Sequence, residues 1–285
     1  MKKIAQVIRK GHQHWVGDGF PVQTLFSYET PGLDADPFLL LDYAGPAEFE
    51  ATTQPRGVGK HPHRGFETVT IVYQGDVQHR DTAGNAGVIG PGDVQWMTAG
   101  RGLLHEEMHG EQLSRNGGWL EAIQLWVNLP ASSKMTEPKY QSIHNGDIPV
   151  VSLAEAAGTV RVIAGNFQDR HGPARTHTAI NLWDIQLAEN RQMRFSLASG
   201  STVILFTLQG RVRVNENETL MDAELLSLER EGEIILLQAQ QDSRILLMNG
   251  EPINEPVVGH GPFVMNTREE IDSAIAEFNA GMFGK

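Results

Sequence analysis

The chain has no cysteine among its 285 residues. That excludes disulfides and any thiolate metal site. No apolar run approaches the ~20 residues that a membrane-spanning helix needs. The N-terminal Met1-Lys2-Lys3-Ile4-Ala5-Gln6 carries positive charge without the apolar stretch of a secretory signal, so the expected location is cytoplasmic. A surplus of positive charge is also missing. The formal charge is −12, which argues against direct nucleic-acid binding or an anionic membrane surface. Helical periodicity is scarce.

What the chain has instead is a series of short apolar or alternating runs rich in β-branched and aromatic residues. They are Thr68–Tyr73, Gly92–Met97, Leu120–Val127, Val160–Ala164, Ile180–Leu187, Val203–Leu208, Glu233–Leu237 and Arg244–Met248, and they read as strands. Turn signals such as Asp81-Thr82-Ala83-Gly84-Asn85 and Gly90-Pro91-Gly92-Asp93 separate them. An all-β sandwich, jelly roll or barrel is expected.

The pattern occurs twice. Thr70–Val77 reads strand, turn at Gly75, strand, and Ile204–Val212 repeats it around Gly210. Gly90-Pro91-Gly92-Asp93-Val94 and Glu231-Gly232-Glu233-Ile234 are each a glycine turn feeding a strand. An interval of roughly 135 residues indicates a duplicated domain. Two β-barrels are expected, over residues 1–133 and 134–285, with the polar stretch Pro130–Asn145 as their connection. One helix is expected near the C-terminus. Thr267-Arg268-Glu269-Glu270 has capping-box form, Ile271, Ala274, Ile275 and Phe278 follow at helical spacing, and Gly281 is a stop.

Chemistry concentrates in the first half. His61-Pro62-His63 places two imidazoles on one face of a strand, and His105-Glu106-Glu107 does the same for His105 and Glu107. Three imidazoles and a carboxylate on neighbouring strands suffice to hold a divalent transition metal with coordination positions left open. The donor set suits Fe, Mn, Ni, Co or Cu, with Zn also possible. Glu67 shares the nominal face parity of His61 and His63, so parity alone does not choose between Glu67 and Glu107 as the carboxylate. Pro62 cannot donate to a sheet ladder, which points to an edge, a strand start or a bulge. Gly100 and Gly102 suit a tight turn behind His105. The second half shows no comparable set of donors.

The segments Gly59–Glu67 with Gly75, and Gly90-Pro91-Gly92-Asp93 with His105, resemble the two motifs of the cupin superfamily. More narrowly, His61–Thr68, Gln95–Gly102, Gln124–Leu129 and His260–Thr267 resemble the pirin family across nearly the whole chain. That resemblance implies two tandem cupin barrels, the first holding a metal, usually iron, and the second holding none. Its ligands fall on His61, His63, His105 and Glu107, with Glu67 then orienting a ligand imidazole or solvated. The implied activity is a metal-dependent quercetin 2,3-dioxygenase. It would act on a small aromatic substrate such as a flavonol together with O2, with Glu107 as the proton acceptor. A second function class it implies is a metal-dependent redox-sensing or regulatory module that binds a protein partner.

Other polar residues carry blander expectations. His12 and His14 have no partner pair. His109 is expected as pocket wall or surface, His171 and His177 as solvated, and His260 as a packing residue. Trp96, Met97 and Trp126 are expected in a core, and Gln124 as an inward-facing amide in need of a partner.

Overall fold

The computed structural model describes residues 1–283. It divides into two compact units, one of residues 1–11, 30–37 and 146–253, the other of residues 12–29, 38–145 and 254 onward. Each unit is a seven-stranded and a four-stranded antiparallel sheet, the tandem cupin fold. Every expected strand forms, and the duplication is visible in the register. Phe66–Gln74 turns at Gly75 into Val77–Asp81, as Thr202–Gln209 turns at Gly210 into Val212–Val214. Both turn glycines have positive φ, 78° and 101°, where a Cβ is costly.

In the first-half barrel, the seven-stranded sheet runs Lys139–Ile143, Val94–Thr98, Phe66–Gln74, Gly118–Asn128, Phe38–Phe49, Phe20–Ser27 and His12–Val16. The four-stranded sheet runs Gly57–His63, Leu103–His109, Val77–Asp81 and Ala86–Ile89. Pro62 thus lies on an edge strand, where its missing N–H costs nothing. The apolar part of the interior is built by Phe20, Val22, Ala44, Val72, Val77, Ile89, Leu120 and Ala122.

The second-half barrel has the same order of strands except at one edge, where the N-terminal strand Ile4–Ile8 stands in the place that Lys139–Ile143 takes in the first. Its interior is a continuous apolar cluster that includes Val162, Trp183, Leu205, Leu226, Ile235, Leu237 and Leu247.

Segment ownership differs from a division at residue 133. The strand Ile4–Ile8 pairs with Glu224–Leu228 and so belongs to the second-half barrel. The hairpin Val258–His260/Phe263–Met265 and the helix Arg268–Asn279 belong to the first-half unit. Arg64 N–H donates to the Pro262 carbonyl, and Val264 N–H donates back to the Arg64 carbonyl. The buried Lys134 ammonium donates to the Gly65 and Val264 carbonyls and to Asn128 Oδ1. Pro130–Asn145 is more than a connection, because Lys139–Ile143 pairs with Val94–Thr98 as a strand of the first-half barrel. The helix carries the expected capping box at Thr267 and Glu270. Its Ile271 and Ala274 pack with Phe263, Met265 and Phe283.

Candidate metal centre

His61 and His63 sit near the end of Gly57–His63, and antiparallel pairing sets His105 directly opposite His61. Candidate ligand atoms of His61, His63 and His105 all lie within 4.8 Å of one another. His63 and His105 are buried, while His61 is half-buried, so solvent reaches the group from the His61 side. Burial first, and the neighbouring imidazoles second, hold His63 and His105 well below the usual histidine range. Both are therefore neutral and present lone pairs. His61 Nδ1–H donates to the Gly59 carbonyl at 2.9 Å, which leaves its Nε2 as the free donor atom. His63 Nε2 and His105 Nε2 are buried without a hydrogen-bond partner. Such atoms are costly unless something meets them, and a divalent ion accounts for them. Three neutral imidazoles converging from two strands fit one transition metal.

Glu107 lies two residues on from His105 on the same strand face, outside the three converging residues. Thr70 Oγ1–H donates to its Oε1 at 3.3 Å, and Gln124 Nε2–H donates to its Oε2 at 3.1 Å. Trp126 Nε1–H donates to Gln124 Oε1 at 3.1 Å. Because an indole only donates, that bond fixes the amide so that its NH2 faces Glu107. Gln124 is thus the inward-facing amide expected from the sequence. Thr70, Glu107 and Gln124 line a cavity with Asp42 and an apolar wall that includes Val16, Phe20, Val22, Ala44 and Val77. The cavity is small, about 40 Å³.

A polar row underlies this cavity. Thr24, Asp42, Gln124, Thr70 and Gln95 are register partners across five adjacent strands. Thr24 donates to Asp42, and Gln95 donates to His79. Burial pushes the Asp42 carboxyl up, against the pull of Thr24.

Glu67 lies away from this constellation. The chain turns at Arg64 and Gly65, where φ is 88°, so the strand of His63 ends before the strand of Glu67 begins. Alternation cannot be counted across that turn. Glu67 pairs in register with Thr98, accepts its hydroxyl proton at 2.7 Å, and is pushed up to about 7 by burial. Phe66, on the other face of the strand, is the residue that meets His63, with ring centroids 5.2 Å apart.

The remaining histidines sort out by contact. His109 is a buried packing residue, with Nε2–H donating to the Gly19 carbonyl and its ring edge-on to Phe20 and Phe49. His12 and His14 are exposed on an outer strand, and His171, His177 and His260 are exposed. Trp96 and Met97 are fully buried, whereas Trp126 is half-buried and stacks on Phe66. The tight approaches at Gly100 and Gly102 are to the Thr136 carbonyl and the Phe283 ring. Those glycines therefore serve packing behind the site. His79 escaped the sequence reading. It is buried beside His105, and the only signal for it was His79 and Asp81 at i and i+2 on one strand.

Two antiparallel barrels, one with a three-histidine group that could hold a metal ion and one filled with apolar side chains, define a bicupin. Residues 19–127 match the family model described as Pirin, and residues 182–284 match that of the Pirin C-terminal cupin domain. A Pseudomonas aeruginosa protein named "Putative quercetin 2,3-dioxygenase" is 52% identical over 283 residues, 99% of each chain. The crystal structure of a quercetin 2,3-dioxygenase from Acinetobacter baumannii is 50% identical, with a TM-score of 0.97 over 100% of this chain and 99% of that one. The bacterial pirin YhhW from Escherichia coli, solved in complex with nickel(II), has the same fold at 20% identity. Its TM-score is 0.67 over 87% of this chain and 100% of that one. The chain belongs to the pirin family.

Proposed function

We propose that this protein is a metal-dependent dioxygenase that cleaves a flavonol such as quercetin with O2, opening the ring with loss of carbon monoxide. Iron is the proposed metal, and His61, His63, His105 and Glu107 are its proposed ligands. The observation that carries the reading is the convergence of three imidazoles, two with buried and partnerless nitrogens, two residues along the strand from a carboxylate that lines a largely apolar cavity. A bound divalent ion would act there as a Lewis acid that lowers the pKa of a coordinated hydroxyl.

The chain's own groups do the rest. Glu107 accepts the proton of the substrate hydroxyl, and Thr70 and Gln124 hold its two oxygens in place for that transfer. Trp126 fixes the amide of Gln124. Phe20, Val22, Ala44 and Val77 present an apolar wall suited to aromatic rings and exclude water. Among the described residues no helix is long and apolar enough to cross a membrane.

The test is anaerobic purification and metal analysis, followed by O2 uptake with quercetin for wild type, His61→Ala and Glu107→Ala. Near-stoichiometric metal in wild type, with uptake abolished in both variants, is expected. Full metal occupancy with no O2 consumed on any flavonol would sink the reading. Full metal in Glu107→Ala would reduce the protein ligands to the three histidines.

A further inference from the structure

A fourth imidazole stands behind the three-histidine group. His79, fully buried on Val77–Asp81, stacks on the Tyr140 ring at 5.0 Å and 17°. It is not one of the three converging residues, yet its Nδ1 is 3.2 Å from His105 Nδ1. Its other nitrogen, Nε2, faces Asp81 Oδ2 at 3.4 Å. A carboxylate only accepts, so Nε2 carries the proton and Nδ1 the lone pair. Gln95 Nε2–H also reaches that Nδ1, at 3.0 Å, which requires the same tautomer and makes the one lone pair an acceptor shared by Gln95 and His105. For His105 to bond to a lone pair, its own proton must be on Nδ1. The lone pair of His105 is then on Nε2, the nitrogen that is buried without a partner.

We propose that His79 is a positioning residue of the metal centre, accepting the His105 Nδ1–H and so setting which nitrogen, in which ring orientation, His105 offers to the ion. The inference rests on the reading that the three-histidine group binds a metal. Outer partners of this kind orient metal-ligating histidines in general. The Gly59 carbonyl does the same for His61. A carbonyl has one role, however, whereas an imidazole has two tautomers. Asp81 supplies the missing constraint, and it is itself held by the backbone N–H and side-chain amide of Asn85, each at 2.9 Å. Asp81-to-Asn85, a turn on the surface, thereby specifies a proton two residues deep in the barrel.

The experiment compares Co(II)-loaded wild type, His79→Leu and His79→Gln by chelator competition and by proton NMR of the exchangeable, metal-shifted ring N–H resonances. Wild type should show a slowly exchanging N–H resonance for His105. His79→Leu, with no acceptor, should bind Co(II) about 10- to 100-fold more weakly and lose that resonance to solvent exchange. His79→Gln, whose amide oxygen accepts, should recover most of the affinity. Unchanged affinity and resonances in His79→Leu would overturn the proposal, and so would equal weakening in both variants, which would indicate packing alone. If His79→Leu does not fold, Asp81→Ala is read in its place. A several-fold loss of affinity with a weakened His105 N–H resonance supports the proposal, and an unchanged spectrum overturns it. Should wild type take up no Co(II), the metal reading falls and this one with it. Should wild type bind and the variants match it, only this inference falls.

Discussion

The two barrels share a strand order, one edge strand apart, and differ in what fills them. In the first, the row Gln95, Thr70, Gln124, Asp42, Thr24 crosses five strands. In the second, the corresponding row is Leu226, Leu205, Leu247, Trp183, Val162. The four-stranded sheets differ in the same way. Counting from the turn glycines Gly75 and Gly210, His79 corresponds to Val214. Since His79 pairs with Glu107 and Val214 with Leu237, Glu107 corresponds to Leu237 and His105 to Ile235. His61, opposite His105, corresponds to Phe195, opposite Ile235. Inward positions of a barrel are thus free to be chemistry or packing, provided the row is consistent. A lone polar residue in the second interior would be unsatisfied, whereas in the first Thr24 bonds to Asp42, Thr70 and Gln124 bond to Glu107, and Gln95 bonds to His79.

The largest way to break this contrast is to write the second interior into the first. His105→Ile with Glu107→Leu should abolish metal binding, read by elemental analysis of the purified protein. Its melting temperature should fall a few degrees below that of the metal-free wild type, because Thr70, Gln124 and His79 lose partners. An unchanged melting temperature would mean that the row need not be consistent. The reciprocal damage is Leu205→Ala. A cavity in that fully apolar interior should cost about 2–5 kcal/mol of stability by denaturant titration. Metal content per folded chain should be unchanged, since the metal group lies in the other unit.

A smaller effect separates Glu67 from the site. Its carboxyl titrates near 7 when folded, against 4.5 for an unperturbed group. Below pH 4.5 it is protonated in both states and costs nothing. Between 4.5 and 7 the unfolded chain ionises first, so stability falls as pH rises, and above 7 the full penalty applies. Glu67→Gln removes that penalty, by up to about 3 kcal/mol. It should therefore raise the melting temperature clearly at pH 8 and little at pH 5. An equal change at both pH values would show that burial does not perturb this carboxyl. The least effect expected is that of Thr267→Ala, which removes one half of the capping box and should cost about 1 kcal/mol in thermal unfolding. Metal content should not change.

Much of this was legible before any coordinates. Alternation and turn glycines located the strands, and His61-Pro62-His63 with His105 located the centre. The offset between Gly75 and Gly210 revealed the duplication. Two things were hidden, for physical reasons. Face parity holds only within a continuous strand, so the turn at Gly65 made Glu67 look like a companion of His61 and His63 when it is not. Pairing between strands carries no local signal, so nothing in Val77–Asp81 announced that His79 would meet His105, 26 residues later. The same blindness hid the exchange of the two ends of the chain. Ile4–Ile8 and Phe263–Met265 look like strands of their nearest barrel until their partners are known.

That exchange bears on how the centre comes into being. Arg64, next to His63, is braced by Pro262 and Val264, and these are made roughly two hundred residues after it. A ribosome releases every strand of the two first-barrel sheets by residue 143, long before the hairpin that braces Arg64, so the usual order for tandem domains, N-terminal first, leaves the centre's support to be completed last. A chain stopped anywhere before the closing hairpin would carry all three histidines without the bracing behind His63.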